Sequence, residues 1–267
     1  MKLSIITVNY NNRDGLQRTI DSVICQTFHD FEWLVIDGGS TDGSKELIEH
    51  HQDHFSYWCS EPDHGVYHAM NKGIAHAQGD YLLFLNSGDA LYDKDVLQKV
   101  FDLQSDADIL SGKAIRNDNG QILHTYDESV LMQLYTDTFS HQATFIKRSL
   151  FQDQKYDESL KIVSDWKFWM ESVIFKNAKV DYIDVVVVLQ DMSGLSSDTN
   201  LSGVKQQQQE RENILETLFP ERVRQELDVY QQMRQSPYVI YSHRLKERAP
   251  ILYAIGWRLL KFVAKFV

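Results

Sequence analysis

The stretch FEWLVIDGGSTDGS, residues 31–44, decides the fold class. Residues 31–36 form an apolar, β-rich run long enough for a strand buried on both faces. The run stops at Asp37, which puts a carboxylate where the strand leaves its sheet. Gly38 and Gly39 permit a sharp turn, and Ser40, Thr41 and Asp42 offer oxygens that can cap a following helix. In open α/β sheets, ligands sit beyond the carboxyl ends of the strands. Asp37 is therefore expected to accept an N–H of a nucleotide base or the hydroxyls of its ribose, whereas Asp42 is expected to cap the turn.

The same unit occurs before and after. Residues 3–10 (LSIITVNY) read as an apolar strand, followed by Asn11-Asn12 and a helix with Leu16, Ile20, Val23 and Ile24 on one face. Residues 55–60 read as a shorter strand and residues 81–85 (YLLFL) as another, ending in Asn86-Ser87-Gly88-Asp89. Between them Val66, Met70, Gly73 and Ala77 recur at helical spacing. Strands alternating with helices predict a parallel sheet covered on both faces, an α/β fold. No G-x-G-x-x-G follows the first strand, which disfavours the usual dinucleotide fold.

SIITVNYNN at Ser4, QTFHDFEWLVIDGGSTDGS, SEPDHGVYHAMNKGIAHAQGDYLLFLNSGD and SDWKFW at Ser164 together resemble the family-2 glycosyltransferases, which have the GT-A fold. The resemblance covers the first two thirds of the chain, and its wording is similar to the bacterial branch that builds capsule, exopolysaccharide and O-antigen units. It implies an inverting enzyme that moves one sugar from a nucleotide-diphosphate sugar, UDP-linked as the leading expectation, to a saccharide or polyprenyl-linked acceptor. No Gln-x-x-Arg-Trp, the signature of processive members, follows Asp165.

Such a transfer needs a grip on the nucleotide, compensation for the leaving diphosphate, and a base for the acceptor hydroxyl. By resemblance the grip falls to Val8, Asn9, Tyr10 and Asp37, with Asp63, Lys72, Asn86 and Ser87 completing the donor side. Read without the family, Tyr10 is a half-buried aromatic at a strand end and Lys72 a solvated helix residue. Compensation by a divalent cation, Mn²⁺ or Mg²⁺, falls to Asp89. Here the family's Asp-Ser-Asp-Asp is replaced by Asn86-Ser87-Gly88-Asp89, and Gly88 stands at the position of the strongest ligand. Asp165 matches the catalytic base; a helix-capping aspartate is the plainer alternative. His141 and Trp166 resemble acceptor-side residues, and residues 193–196 (SGLS) resemble a loop that closes over the donor. His68 is assigned no role.

Composition narrows the rest. The chain has 267 residues and a formal net charge of −11, which disfavours nucleic acid as a partner. Cys25 and Cys59 lack metal-like spacing and read as buried free thiols of a reducing cytoplasm. The amino terminus enters the first strand at once, the expectation for a chain without a signal peptide, and no apolar stretch is long enough to span a bilayer. The expected division is a catalytic domain over residues 1–200 and a helical extension over 201–267. Residues 236–267 carry six Lys/Arg against Glu247 alone, leaving the remainder at −16. From Pro250 onward Arg258, Lys261 and Lys265 form one stripe in an otherwise apolar helix. That pattern predicts an interfacial helix on inner-leaflet anionic lipid and a peripheral place on the cytoplasmic face of the membrane; packing on the catalytic domain or in a dimer is the alternative. Two other functions compete: a non-catalytic sugar-nucleotide-binding subunit, suggested by Gly88 and His68, and a sugar nucleotidyltransferase, disfavoured because residues 9–13 (NYNNR) are no triphosphate loop.

Overall fold

The structure, a computed structural model, describes residues 1–123, 129–192 and 201–263. Its first half alternates strands and helices: β1 (Leu3–Asn9), α1 (Arg13–Ile24), β2 (Phe31–Asp37), α2 (Ser44–His50), β3 (Tyr57–Ser60), α3 (Val66–His76) and β4 (Tyr81–Phe84). Every residue of β1, and every residue of β2 after Phe31, is buried, as expected of strands with both faces covered. β3 begins later than its apolar run because Gln52–His54 closes a 3₁₀ turn ahead of it.

The second half adds β5 (Ala90–Leu91), α4 (Val96–Asp102), β6 (Ile109–Arg116), β7 (Ile122–Leu123), α5 (Val130–Thr136), β8 (Thr144–Lys147), α6 (Ser164–Trp169) and β9 (Val180–Gln190). The described strands form one sheet in the order β3-β2-β1-β4-β8-β6-β9-β5, with β7 paired to β6. β3, β2, β1 and β4 are mutually parallel; β8 runs antiparallel between β4 and β6. Parallel register sets Asn9 beside Asp37 and Asp37 beside Ser60. Three strands therefore end level, and their loops leave from one edge.

The opposite edge is tied by a buried carboxylate. Glu32 accepts hydrogen bonds from Ser4 Oγ at 2.6 Å, Gln78 N at 2.5 Å and Gly79 N at 3.2 Å, linking β1, β2 and the approach to β4. One side of the sheet packs Leu16, Ile20 and Val23 of α1 with Trp33, Val35, Leu47 and Ile48. The indole of Trp33 donates to Thr7 Oγ1 at 3.0 Å, so even this large core residue leaves no polar atom unmet.

The thiols differ from expectation. Cys25 lies just past the end of α1 and is exposed, and Cys59 is half-buried in β3. The α1 stripe turns Leu16, Ile20 and Val23 inward, which places Cys25 off the buried face.

The chain continues through α7 (Leu201–Leu218), α8 (Glu221–Gln235), α9 (Pro237–Arg248) and α10 (Pro250–Val263). Residues Met1–Glu212 form one compact unit and Asn213–Val267 a second. In α9 the Ser236 hydroxyl accepts from Val239 N at 3.4 Å and Pro237 opens the first turn. Among the described residues no helix is long and apolar enough to cross a membrane.

Glu32→Ala tests the tie at the far edge. It leaves the Ser4 hydroxyl and the Gln78 N–H without their acceptor, while Gly79 N keeps Ser4 Oγ at 2.8 Å, at a cost of about 2–3 kcal/mol. A fall in Tm of roughly 5–10 °C is expected, and a melting curve superimposable on the parent's would remove Glu32 from this role.

Candidate active site

The level strand ends are joined by one carboxylate. Asp37 is fully buried. Its Oδ1 accepts from Asn9 Nδ2 at 2.6 Å and Ser40 Oγ at 2.5 Å, and its Oδ2 accepts from Ser40 N at 3.0 Å and Ser60 Oγ at 2.7 Å. A carboxylate offers about four acceptor directions, and here all are taken. Asp37 thus welds the ends of β1, β2 and β3; the hydroxyls of Ser40 and Ser60 already sit where a ligand's donors would approach it. Asp42 caps as expected, accepting from Ser44 N at 3.1 Å and from Arg13 N at 2.8 Å across the neighbouring loop.

Around this weld the loops are closely fitted. Tyr10 leaves β1 and is 67% exposed, a ring open to stacking. A side chain at Gly38 would meet Asp63 Oδ2 at 2.6 Å and the Tyr10 ring at 3.1 Å. Gly39, at φ +79°, lies against Pro62. The glycines thereby bring Tyr10 and Asp63 onto one shelf beyond β2. Asp63 Oδ1 accepts from Gly65 N at 2.8 Å, bracing the turn into α3. Lys72 does not point free into this space: its ammonium pairs with Glu61 at 2.8 Å and holds that carboxylate below its ordinary pKa. Val8 is buried, and its carbonyl takes the N–H of Ser87 at 3.0 Å; Asn12 Nδ2 donates to Ser87 O at 3.0 Å. The loops after β1 and β4 are therefore stitched together. Asn9 Oδ1 and Asn86 Oδ1, at the ends of these neighbouring strands, are buried without a hydrogen-bond partner among the described residues.

The turn Asn86–Asp89 gathers an acidic corner. Asp89 is buried and accepts from Asp191 N at 2.8 Å. Burial, with the neighbouring Asp191 charge adding to it, pushes the Asp89 carboxyl up to about 8 against the partial relief of its backbone hydrogen bonds and Arg18. Gly88 has φ +106°, and a side chain there would strike Asp191 Oδ2 at 2.6 Å. Asp191, paired with Arg18 at 2.7 Å, thus occupies the space a residue at position 88 would claim. Sequence reading missed Asp191 altogether: it is separated from Asp89 by 102 positions, and only the bareness of Gly88 hinted that something else fills the corner. Among the described residues no group of three or more His, Cys, Asp and Glu could hold a metal ion. The donors present are two carboxyls and an unpartnered amide oxygen, an all-oxygen set suited to a hard cation that takes one or two carboxylates and completes its shell from substrate phosphates.

The remaining residues lie around α6. Asp165 is in its first turn, but Val163 occupies the N-cap and makes no side-chain capping hydrogen bond. Its Oδ1 instead accepts from the Tyr67 hydroxyl at 3.0 Å. His141 is buried, with Nε2 at 2.9 Å from the Tyr156 hydroxyl and its ring stacked on Phe84. Burial depresses its pKa, opposed by the Asp165 charge, so its environment favours the neutral ring. Trp166 is buried, its indole donating to Leu134 O at 2.6 Å, and the Arg211 guanidinium covers its face at 4.3 Å. Neither His141 nor Trp166 presents a free surface to an acceptor in this arrangement. The SGLS loop, residues 193–196, lies outside the described residues.

Residues 4–165 match Glycosyl transferase family 2. A PGL/p-HBAD biosynthesis glycosyltransferase of Mycobacterium tuberculosis is 32% identical over 203 residues, 73% of this chain and 78% of that protein. An uncharacterized glycosyltransferase of the same organism is 46% identical over 112 residues, 42% of this chain, and the match spans only 40% of that relative's length. Among solved structures, S. aureus TarS 1-349 in complex with UDP has TM-score 0.61 at 20% identity, covering 78% of this chain and 69% of that one. The mannosyltransferase PcManGT of Pyrobaculum calidifontis, in complex with GDP-Man and Mn²⁺, has TM-score 0.63 at 14% identity over 98% of this chain and 80% of its own. The structural likenesses share the GT-A-type architecture expected of the sequence, and the match over residues 4–165 with the mycobacterial identity settles the lineage: the chain belongs to glycosyl transferase family 2.

Proposed function

We propose that the chain is an inverting glycosyltransferase that moves a single sugar from a nucleotide-diphosphate sugar to a saccharide acceptor in surface-polysaccharide assembly. The observation that carries this reading is the path of α3. It starts at the Asp63–Gly65 turn on the shelf with Tyr10, and in its first turn Tyr67 meets Asp165. A donor shelf and a carboxylate able to take a proton are thus joined by one rigid element. UDP bound to a TarS structure and GDP-Man bound to PcManGT support a nucleotide-sugar donor, with UDP preferred by resemblance.

In this reading the base stacks on Tyr10, and contact with Asp37 requires the Ser40 or Ser60 hydroxyl to turn away. Asp165 takes the proton of the acceptor hydroxyl as its oxygen bonds to the anomeric carbon. The bond from that carbon to the diphosphate oxygen breaks on the opposite face, so configuration inverts. Asp89, with the Asn86 amide oxygen and Asp191, would hold a divalent cation, which when bound offsets the charge of the leaving diphosphate. Lys72, already paired with Glu61, joins the donor side only by releasing that partner.

The second unit supports attachment at a lipid surface. Ile251, Leu252, Ile255 and Trp257 of α10 are exposed beside the exposed cations Arg258 and Lys261. Tyr253 stacks on Trp257, over which Lys261 also lies. An aromatic, cationic helix of this kind suits an anionic headgroup layer, where a lipid-linked acceptor would reside. Residues 201–267 are accordingly proposed as the extension that brings the catalytic part to the cytoplasmic face.

Asp165→Asn tests the chemistry. The amide keeps the shape but is a poor proton acceptor, so turnover should fall by roughly 10²–10⁴-fold while calorimetry shows UDP binding retained. Near-parental turnover would leave Asp165 a structural residue.

The metal reading has its own pH signature. Asp89 ionises near 3.8 as a free group and near 8 in the fold. The cation-free native chain therefore holds a proton that the unfolded chain has lost, and the stability this lends disappears as pH rises from about 4 to about 8. A cation must displace the proton, so the rise in Tm produced by Mn²⁺ should grow from pH 6 to pH 8.5 and be absent in Asp89→Asn. Chelation by EDTA should abolish turnover; full activity in EDTA sinks the metal.

For the extension, liposome flotation compares the full chain with Trp257→Ala and with a chain ending at Arg248. Binding to anionic but not neutral vesicles, lost on truncation, is expected. Equal flotation of all three, or of none, removes α10 from the membrane.

A further inference from the structure

We infer that Tyr67 is a positioning residue for the base: its hydroxyl holds Asp165 in both of the protonation states that transfer requires. The inference rests on the reading of Asp165 as the base. Tyr67 is 6% exposed, and its hydroxyl stands 2.7 Å from Ile162 O and 3.0 Å from Asp165 Oδ1. One O–H proton therefore faces two acceptors.

The chemistry gives that arrangement a use. Before transfer Asp165 is a carboxylate that can only accept hydrogen bonds. After taking the acceptor's proton it is a carboxylic acid that must donate one. A phenol serves both states: it donates to the carboxylate, or it turns its proton to Ile162 O and accepts from the acid. No backbone movement is needed, because the alternative acceptor is already in reach. Burial first, and the Asp165 charge second, raise the tyrosine's own pKa well above its usual value, so it remains a phenol throughout.

The alternative acceptor is itself fixed. Ile162 N donates to Glu210 Oε2 at 3.1 Å, and Lys161 N and Val163 N donate to the same carboxylate at 3.1 and 3.3 Å. The peptide that Tyr67 uses is thus held from its other side by α7. Asn71, one turn further along α3, donates to Tyr156 O at 2.9 Å and Glu158 Oε1 at 2.8 Å, which keeps the helix seated on the loop before α6.

Tyr67→Phe removes the hydroxyl and keeps the ring, so the fold is preserved. The probes are UDP-N-acetylglucosamine, UDP-glucose and GDP-mannose, with release of nucleoside diphosphate as the readout. A fall in kcat of about 10- to 100-fold is expected, from loss of one hydrogen bond to a charged group, with donor KM and UDP affinity within about twofold of the parent. In the Asp165→Asn background the same change should add nothing, since the group it serves is gone. A kcat near the parent's, an equal loss in donor affinity, or a further loss of the same size in the Asp165→Asn background overturns the positioning role. Undiminished turnover by Asp165→Asn alone, or no release from any of the three donors by the parent chain, overturns instead the underlying reading and takes the inference with it.

Discussion

A buried carboxylate must be met by donors, and at Asp37 that requirement organises the working end of the sheet. Asn9, Ser40 and Ser60 satisfy it from β1, the turn after β2, and β3. Those three contacts fix where the chain can go next. Because the Ser40 hydroxyl is drawn onto Asp37, the glycines at 38 and 39 must bend around it, and the bend seats Gly39 against Pro62 and Gly38 against Asp63 and Tyr10. The shelf is a consequence of how one charge is buried. An unpaired carboxylate in that position would cost several kcal/mol, so the turn has little freedom to be otherwise.

The acidic corner obeys the opposite logic. Asp37 has donors in every direction, whereas Asp89 has backbone N–H groups and a second carboxyl nearby, and its burial favours the protonated form. Gly88 does not leave the corner empty, because Asp191 arrives just past the end of β9 to fill the volume. Arg18 on α1 balances Asp191, so the corner gains further negative charge only where Asp89 loses its proton.

Much of this was legible because it is local. Alternating apolar runs and glycine-rich turns mark β1, β2 and β4 and the loops behind them, and each depends on residues within about a dozen positions. That pattern puts Asp37 at a strand end; Tyr10 and Asp63 are named for the donor side only through the family resemblance. The acceptor-side reading was less legible for a physical reason. His141 and Trp166 carry the residue types of a sugar platform, yet a large aromatic buries well against other aromatics, and Phe84, Tyr156 and Arg211 come from far along the chain to cover them. Nothing in the local pattern of SDWKFW distinguishes a ring that faces a ligand from one that faces the core.

The same argument applies to α7, whose composition is that of a solvent-washed helix. Its Gln- and Glu-rich surface has the right composition for that, but two adjacent residues turn inward to finish what other elements leave open. Glu210 takes the N–H groups of residues 161–163 at the entry to α6, and the Arg211 guanidinium takes the carbonyls of Leu134, Tyr135 and Asp137 at the exit of α5. Helix ends carry unsatisfied donors at one terminus and acceptors at the other, so an acid beside a base on a third helix can serve both. Charged residues that read as surface are here the closing contacts of the segment that carries Asp165. The boundary of the compact first unit at Glu212, just beyond them, is what those two contacts require: cutting the chain at the end of the β-rich part would remove the acceptor that fixes Ile162, and with it the geometry between Tyr67 and the base.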